Sequence, residues 1–417
     1  MLAFVYLLRR SLGQIPMNKF LLLAASCILT YAGSAQAYGP DGHKIIGAIA
    51  DQRIASTPAG RRVSQLLDGY TLEEASLIAD TIKQWDKPGI EDPKVQKYFS
   101  SHPKIAEQLR AFWSANPPAN GENPTIPSQH WFHYTDVPLE GGEKYGDGKV
   151  GRGEWDIVHM MDYCIQVLRG EKPETNERKI TKPIAVILLA HFVGDIHQPL
   201  HVGAQYFDAE GHPVNPAKVS ESFPDEGGNS LRLKLTDAEP RRHAPKLHGF
   251  WDNDAVMANL PQFPDTMPKE ERQLQMDAAE KELTDRLSKD EPKNWRLPKE
   301  LDVEKYAEAW ADEILPLARE AHDRLRYHGV KPKLDKETMV ADGEVVERGL
   351  PDDVPYRKWT AGVVLEQMHK AGWRLAVLLE KALAQAKATV TPTPSPNESV
   401  SPALPSPEPS AKVAPDT

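Results

Sequence analysis

Apolar residues recur at spacings of three and four over six stretches of the chain, 44–55, 72–85, 155–168, 183–196, 305–327 and 358–386. That period lines up one face of a helix, so each stretch is predicted to be helical. Period-two alternation is confined to 231–235, where Leu231, Leu233 and Leu235 alternate with basic residues after Gly227-Gly228. One short hairpin there is the most strand structure the pattern supports. The fold class is therefore mainly α, a single multi-helix domain with a small hairpin and loop insertions. The insertions are 205–226, 261–301 and 329–353, and the charged run 269–290 within the second reads as a solvated face. From 391 onward the chain is Pro, Ser and Thr with almost no large apolar residue, which cannot offset the entropy of ordering, so 389–417 is expected to be a disordered tail. No internal repeat is visible, and 38–388 reads as one domain.

The N-terminus changes the compartment. Lys19 precedes an apolar run over 20–29, followed by the small-residue pattern Ala35-Gln36-Ala37. This is the layout of a cleavable signal peptide over 1–37, with Met17 as the conventional start and Tyr38 as the first mature residue. The run is shorter than the roughly 20 residues that span a bilayer, so no stable membrane anchor is expected. The product should be exported, to the periplasm or the medium, and monomeric. Lys plus Arg number 50 against 60 Asp plus Glu, a net charge of −10, and the leader removes Arg9, Arg10 and Lys19 but no acid. An acidic chain has no broad basic surface on which to hold nucleic acid by counterion release. Any anionic substrate must be gripped locally. Cys27 leaves with the leader, and Cys164 remains alone in an apolar helical pattern, so no intramolecular disulfide forms and Cys164 reads as packing.

Local grip is what the histidines suggest. The segment HFVGDIHQPLH, His191 to His201, sets three imidazoles and a carboxylate at the end of an apolar helix. His191 and Asp195 are four apart on one face, and Pro199 breaks the helix so that His201 can turn back; His197 points elsewhere and reads as a supporting residue. In LHGFWD, His248 and Asp252 repeat the four-residue spacing. His43, Asp80 and the run HWFHYTD, with His130, His133 and Asp136, are further candidates. A lone buried histidine is usually a packed core residue, and His102, His159, His212, His243, His322, His328 and His369 are read that way. Burying so many His and Asp together without ions would strand polar groups at a few kcal/mol each, so the joint pattern points to a multinuclear metal site.

With these residues in place, the chain resembles the trinuclear-zinc single-strand nucleases of fungi, plants and bacteria, relatives of zinc phospholipase C, from Tyr38 to about Leu379. The resemblance implies a multi-helix domain of that type and three Zn²⁺ per chain. It implies one ion on Asp80, His133, His191 and Asp195. A neighbour takes the free amine and carbonyl of Tyr38, His43 and the shared Asp195, and a third takes His201, His248 and Asp252. Three dications bring +6 against −3 from the aspartates, supplying the positive patch that the composition lacks. By the same resemblance, water activated between zincs attacks a phosphodiester in line, oriented by Asp136. Tyr134 stacks an unpaired base, and Asn229 of Gly227-Gly228-Asn229 lies near the substrate, although that segment also reads as a simple turn. Lys83 takes the place of a family Arg that contacts phosphate, a departure that exchanges a bidentate fork for a point charge. The implied activity is hydrolysis of single-stranded DNA and RNA to 5′-phosphates, with 3′-nucleotides as further substrates. A phospholipase C acting on lipid headgroups and a non-catalytic exported zinc-binding protein are the alternatives; Asp252, where the lipase branch favours Glu, speaks for the nuclease.

Overall fold

The computed structural model describes residues 38–83, 85, 100–117, 129–235, 244–333, 338–346 and 352–384. The expected leader 1–37, the tail 389–417 and His243 lie outside the described residues.

Helix α1, Gly39–Ile54, begins before the apolar period would place it, because Pro40 suits a first turn and Asp41 faces the positive end of the helix dipole. Helix α2, Pro58–Leu66, follows with Thr57 as its cap. The stretch 72–85, predicted as one helix, is two: α3, Leu72–Ala75, opened by a Thr71/Glu74 capping box, and α4, Ile78–Lys83. Apolar spacing runs unbroken through the interruption at Ser76, so periodicity alone cannot reveal it. Helix α5 spans Pro103–Ala115.

Helix α6, Ile157–Arg169, is capped by Asp156 and stopped by Gly170 at φ 79°. Helix α7, Lys182–Asp195, is buried throughout from Ile184 to Asp195, as expected of a helix that is apolar on all sides and passes through the core. Helix α8, Lys269–Lys289, fills the charged insertion. It buries only a narrow edge, with Leu283 and Leu287 joining Ile45, Ile49, Leu260, Trp295 and Trp373 in a second apolar cluster, while its other faces stay solvated. Helix α9 is Tyr306–Asp323, and α10, Tyr356–Ala382, lies against α1 and α7. Cys164 is fully buried in the main core.

The strands depart most from expectation. Val137–Pro138 (β1) pairs in parallel with Gly203–Ala204 (β2), and Tyr206–Phe207 (β3) is antiparallel to Phe223–Pro224 (β4). Among the described residues Leu231–Lys234 (β5) meets the chain that directly follows it only at an antiparallel bridge between Arg232 and Lys246. It is an edge of a three-stranded sheet in which Thr338–Val345 (β7) is central, parallel to β5 and antiparallel to Leu325–Lys333 (β6). The helix predicted over 305–327 therefore ends at Asp323, and the supposed loop 329–353 supplies strands. Asp342-Gly343 looks like a turn in sequence but sits mid-strand, where Gly343 opposes Tyr327 and Leu233 and leaves room for Leu325. Among the described residues no helix is long and apolar enough to cross a membrane.

Candidate metal centre

The end of α7 brings the chemistry together. His191 and Asp195 lie one turn apart and fully buried, and the chain then breaks at Gln198-Pro199 into a short 3-10 turn carrying His201. The β1–β2 pairing lays the HYTD segment alongside, with Thr135 N–H donating to the His201 carbonyl at 2.9 Å. α1 contributes His43 and α4 contributes Asp80. His248 and Asp252 keep their four-residue spacing, although the chain passes from a helical turn, Leu247–Gly249, into a π turn, Phe250–Asp254. Such π turns recur at functional sites.

Three sets of ligand-type atoms converge: His43, His191 and Asp195; Asp80, His133 and His191; and His201, His248 and Asp252, all buried. Asp195 stands between the first two. Its Oδ1 is 3.4 Å from His43 Nε2, while Oδ2 is 2.9 Å from His133 Nδ1 and 3.2 Å from His191 Nε2. Asp80 Oδ1 is 3.5 Å from His191 Nε2 and 3.8 Å from His133 Nδ1. The rings of His43 and His191 stack at 3.9 Å, and Gly194 permits this, since a Cβ there would lie 2.8 Å from the His43 ring. In the third set, His248 Nε2 is 3.0 Å from His201 Nε2 and 3.4 Å from Asp252 Oδ2.

Backbone carbonyls fix the imidazole tautomers. His191 Nδ1 donates to Ser76 O at 2.6 Å, His201 Nδ1 to His133 O at 2.8 Å and His248 Nδ1 to Gly227 O at 2.7 Å. A carbonyl can only accept, so each Nδ1 carries a proton, and in His201 and His248, which burial keeps neutral, each Nε2 offers its lone pair. The Nε2 atoms of His201 and His248 are then two acceptors facing each other at 3.0 Å. Among the described residues no donor reconciles them, but a cation between them would, since tetrahedral Zn–N bonds of about 2.0–2.1 Å put two ligand nitrogens about 3.3 Å apart. Both ring nitrogens of His43, Asp195 Oδ1 and Asp252 Oδ2 are likewise buried without hydrogen-bond partners. The side chains present thus fit hard-to-borderline dications with N and O ligands.

Electrostatics point the same way. Burial, reinforced by Lys83, lowers His133 to about 3, and burial with His201 lowers His248 to about 3, so both imidazoles are neutral. Against the lowering effect of burial, Asp195 and Asp80 raise His191 to about 10. Burial, with Asp195 and Asp80 nearby, pushes the Asp252 carboxyl well above its ordinary range. Carboxylates crowded without enough positive charge are what metal ions would relieve.

Tyr38 is buried beside the third set. Its backbone N–H donates to the Asp252 carboxylate, and its hydroxyl donates to His197 O at 2.5 Å. Lys83 is turned inward and ion-paired with Asp80 rather than extended outward. Tyr134 is 36% exposed and Trp131 42%, so two aromatic faces flank buried His133. Asp136 is half-buried near Glu226 and Asp156, and burial together with those charges raises it to about 7. Asn229 donates to Glu226 O at 3.1 Å, on the loop that brings Glu226 near Tyr134 and Asp136.

His130 is outside the three sets, near the Lys83 backbone. His197 is buried too, but its Nδ1 donates to Val193 O and its Nε2 meets Arg374, so it supports α10 rather than a ligand ring. His102 stacks on Tyr70, His159 sits with Asp156, His212 with Asp208, His328 with Glu344, and His369 with Asp290 O. Sequence reasoning missed Gln198, whose amide donates to Asp252 Oδ1 at 2.8 Å, and the carbonyls of Ser76 and Gly227. Backbone acceptors leave no residue-type signal.

The S1/P1 Nuclease family model matches residues 38–384. Endonuclease 1 of Arabidopsis thaliana is 22% identical over 379 residues, covering 88% of this chain and 94% of that protein. Endonuclease 2 of the same plant is 23% identical over 248 residues, 58% of this chain and 64% of that protein, and its Endonuclease 4 is 32% identical over 133 residues, 32% and 36% respectively.

Proposed function

The chain belongs to the S1/P1 nuclease family, and from that premise we propose that it is a zinc-dependent nuclease of single-stranded DNA and RNA that leaves 5′-phosphates and also acts on 3′-nucleotides. The observation that carries the metal reading is the facing pair of His201 and His248 lone pairs beside the unpartnered Asp252 oxygen. Asp80, His133, His191 and Asp195 would hold one ion; Tyr38, His43 and Asp195 a second; His201, His248 and Asp252 a third. Bound zinc would supply positive charge for a phosphodiester and a lowered pKa for water.

The side chains divide the remaining work. Asp136, raised toward neutrality by burial and by Glu226 and Asp156, can orient a water and accept its proton. Lys83, within reach of Asp80, supplies a point charge for phosphate once it leaves that carboxylate. Tyr134, exposed at the rim, offers a face on which an unpaired base stacks for about 1–3 kcal/mol; a duplex withholds that face, which accounts for single-strand preference. Asn229 completes the rim. This reading includes cleavage of the leader after Ala37, because only then does Tyr38 have a free amine, with a monomeric product in the periplasm or medium.

The test is hydrolysis of single-stranded DNA, duplex DNA and phosphatidylcholine by the protein beginning at Tyr38, with zinc and after chelation. Chelator-sensitive cutting of the single strand to 5′-phosphates is expected. Cleavage of the lipid alone would retain the metal groups and overturn the roles of Tyr134 and Lys83.

A further inference from the structure

One buried acid–imidazole pair lies outside the three metal sets. Asp225 is fully buried, and its Oδ1 accepts from Gln205 N–H at 3.0 Å, with the Gly228 amide donating to the same carboxylate. Its own N–H donates to Gln205 O at 2.9 Å, and its carbonyl accepts from Ser230 N–H at 3.0 Å. Asp225 thereby ties the 225–230 loop to the adjoining chain and to itself.

Its other oxygen, Oδ2, has no hydrogen-bond partner and faces His322 Nε2, equally unpartnered, at 3.5 Å. His322 is held in turn, with Nδ1 2.7 Å from the Tyr327 hydroxyl of β6. With that hydroxyl donating, the ring proton lies on Nε2 and points at Asp225. β7 grips the same loop from both ends: Thr338 Oγ1 donates to Pro224 O at 2.7 Å, and Ala341 N–H donates to Ser230 O at 3.3 Å. The segment that looks like a spare charged insertion in sequence is a backing plate for this loop.

What the loop presents is the Gly227 carbonyl. Gly227 and Gly228 both hold positive φ, 58° and 80°, and a Cβ on Gly227 would lie 2.2 Å from Leu200 O, so the loop is pressed against the 3-10 turn that carries His201. In that position Gly227 O accepts from His248 Nδ1, and His248 N–H donates to Gly228 O at 3.3 Å. The orientation of the His248 ring, and the direction of its Nε2, follow from where this carbonyl sits.

We infer that Asp225, braced by His322, is a positioning residue for the His201–His248–Asp252 group, setting its metal affinity through the Gly227 carbonyl while leaving the two groups around Asp195 untouched. The inference rests on reading His201, His248 and Asp252 as metal ligands. Outer partners of this kind typically change metal affinity about 10- to 100-fold.

The experiment titrates the mature protein and its Asp225→Asn, His322→Leu and His322→Gln variants with a chromophoric zinc chelator, counts bound zinc by mass spectrometry and records Tm. Asp225→Asn sets an amide against the ring N–H, and His322→Leu removes the brace, so each should weaken one equivalent of zinc about 10-fold or more and leave two at wild-type affinity. His322→Gln restores a donor and should recover most of the loss. Wild-type affinity for every equivalent in both Asp225→Asn and His322→Leu would overturn the inference, as would equal weakening of all three with a matching fall in Tm. His248→Ala is the control. If it releases no zinc, the reading of the ligand group has failed, and the positioning role falls with it for that separate reason.

Discussion

Replacing Asp195 with asparagine removes the carboxylate that stands between two of the proposed metal groups. Its Oδ1 faces His43 at 3.4 Å, and its Oδ2 faces His133 and His191 at 2.9 and 3.2 Å. An amide keeps one oxygen, offers no nitrogen lone pair, and deletes a negative charge between two proposed dications. A bound ligand held at 100 times its Kd stabilises the folded state by about 2.7 kcal/mol, so losing two ions removes roughly 5 kcal/mol. At about 2 °C per kcal/mol for a chain of this size, Tm should fall by about 10 °C in saturating zinc. A second cost persists in chelator, because His191 loses its principal buried partner, and breaking such a pair costs about 3–5 kcal/mol. The assay is zinc per chain after gel filtration, with Tm measured in zinc and in chelator. One zinc where the wild type holds three, together with a much smaller zinc-dependent rise in Tm, is expected. Three zincs and an undiminished rise would refute the bridging role.

Four further outcomes are expected. Gly194→Ala places a Cβ 2.8 Å from the His43 ring and should release one zinc, read by metal count; full occupancy would contradict the packing argument. Asp136→Asn should retain all zinc while lowering kcat by about 10²- to 10⁴-fold, the range for a general acid–base group, whereas loss of metal would show it to be a ligand. A protein carrying extra residues before Tyr38 should bind one zinc poorly; unchanged stoichiometry and rate would exclude the terminal amine as a ligand. Burial raises Asp51 to about 6 despite bonds from the Leu72 and Glu73 amides, so between about pH 4 and 6 the folded chain holds more protons than the unfolded one. Its contribution to stability therefore falls as pH rises through that window. Asp51→Asn should flatten that part of the Tm profile, and an unchanged slope would contradict it.

The convergence of the candidate ligand pairs was legible because a four-residue spacing means one face: His191 with Asp195 on a regular helix, and His248 with Asp252 even across a π turn. Long helices were legible for the same reason, α6 and α7 both from apolar residues at spacings of three and four. The interruption between α3 and α4 was not. Its effect is to free Ser76 O for His191, a tertiary demand that leaves the apolar spacing intact. β7 was hidden because 329–353, rich in charges and Gly, reads as a loop, whereas in the fold Asp342 and Gly343 are paired on both sides. Asp225 and His322 were unreadable because each acts through a partner far away in sequence, and a lone histidine such as His322 carries no spacing that sets it apart from core packing.

The central claim is that the three buried His/Asp groups form one zinc-dependent hydrolytic centre. Its most direct test is stepwise addition of zinc to chelator-stripped mature protein, measuring bound zinc and single-strand cleavage on the same samples. The account predicts no cleavage without metal and full activity only as occupancy approaches three ions per chain. Full cleavage by the stripped protein, or a plateau with the His201–His248–Asp252 group still empty, would contradict it.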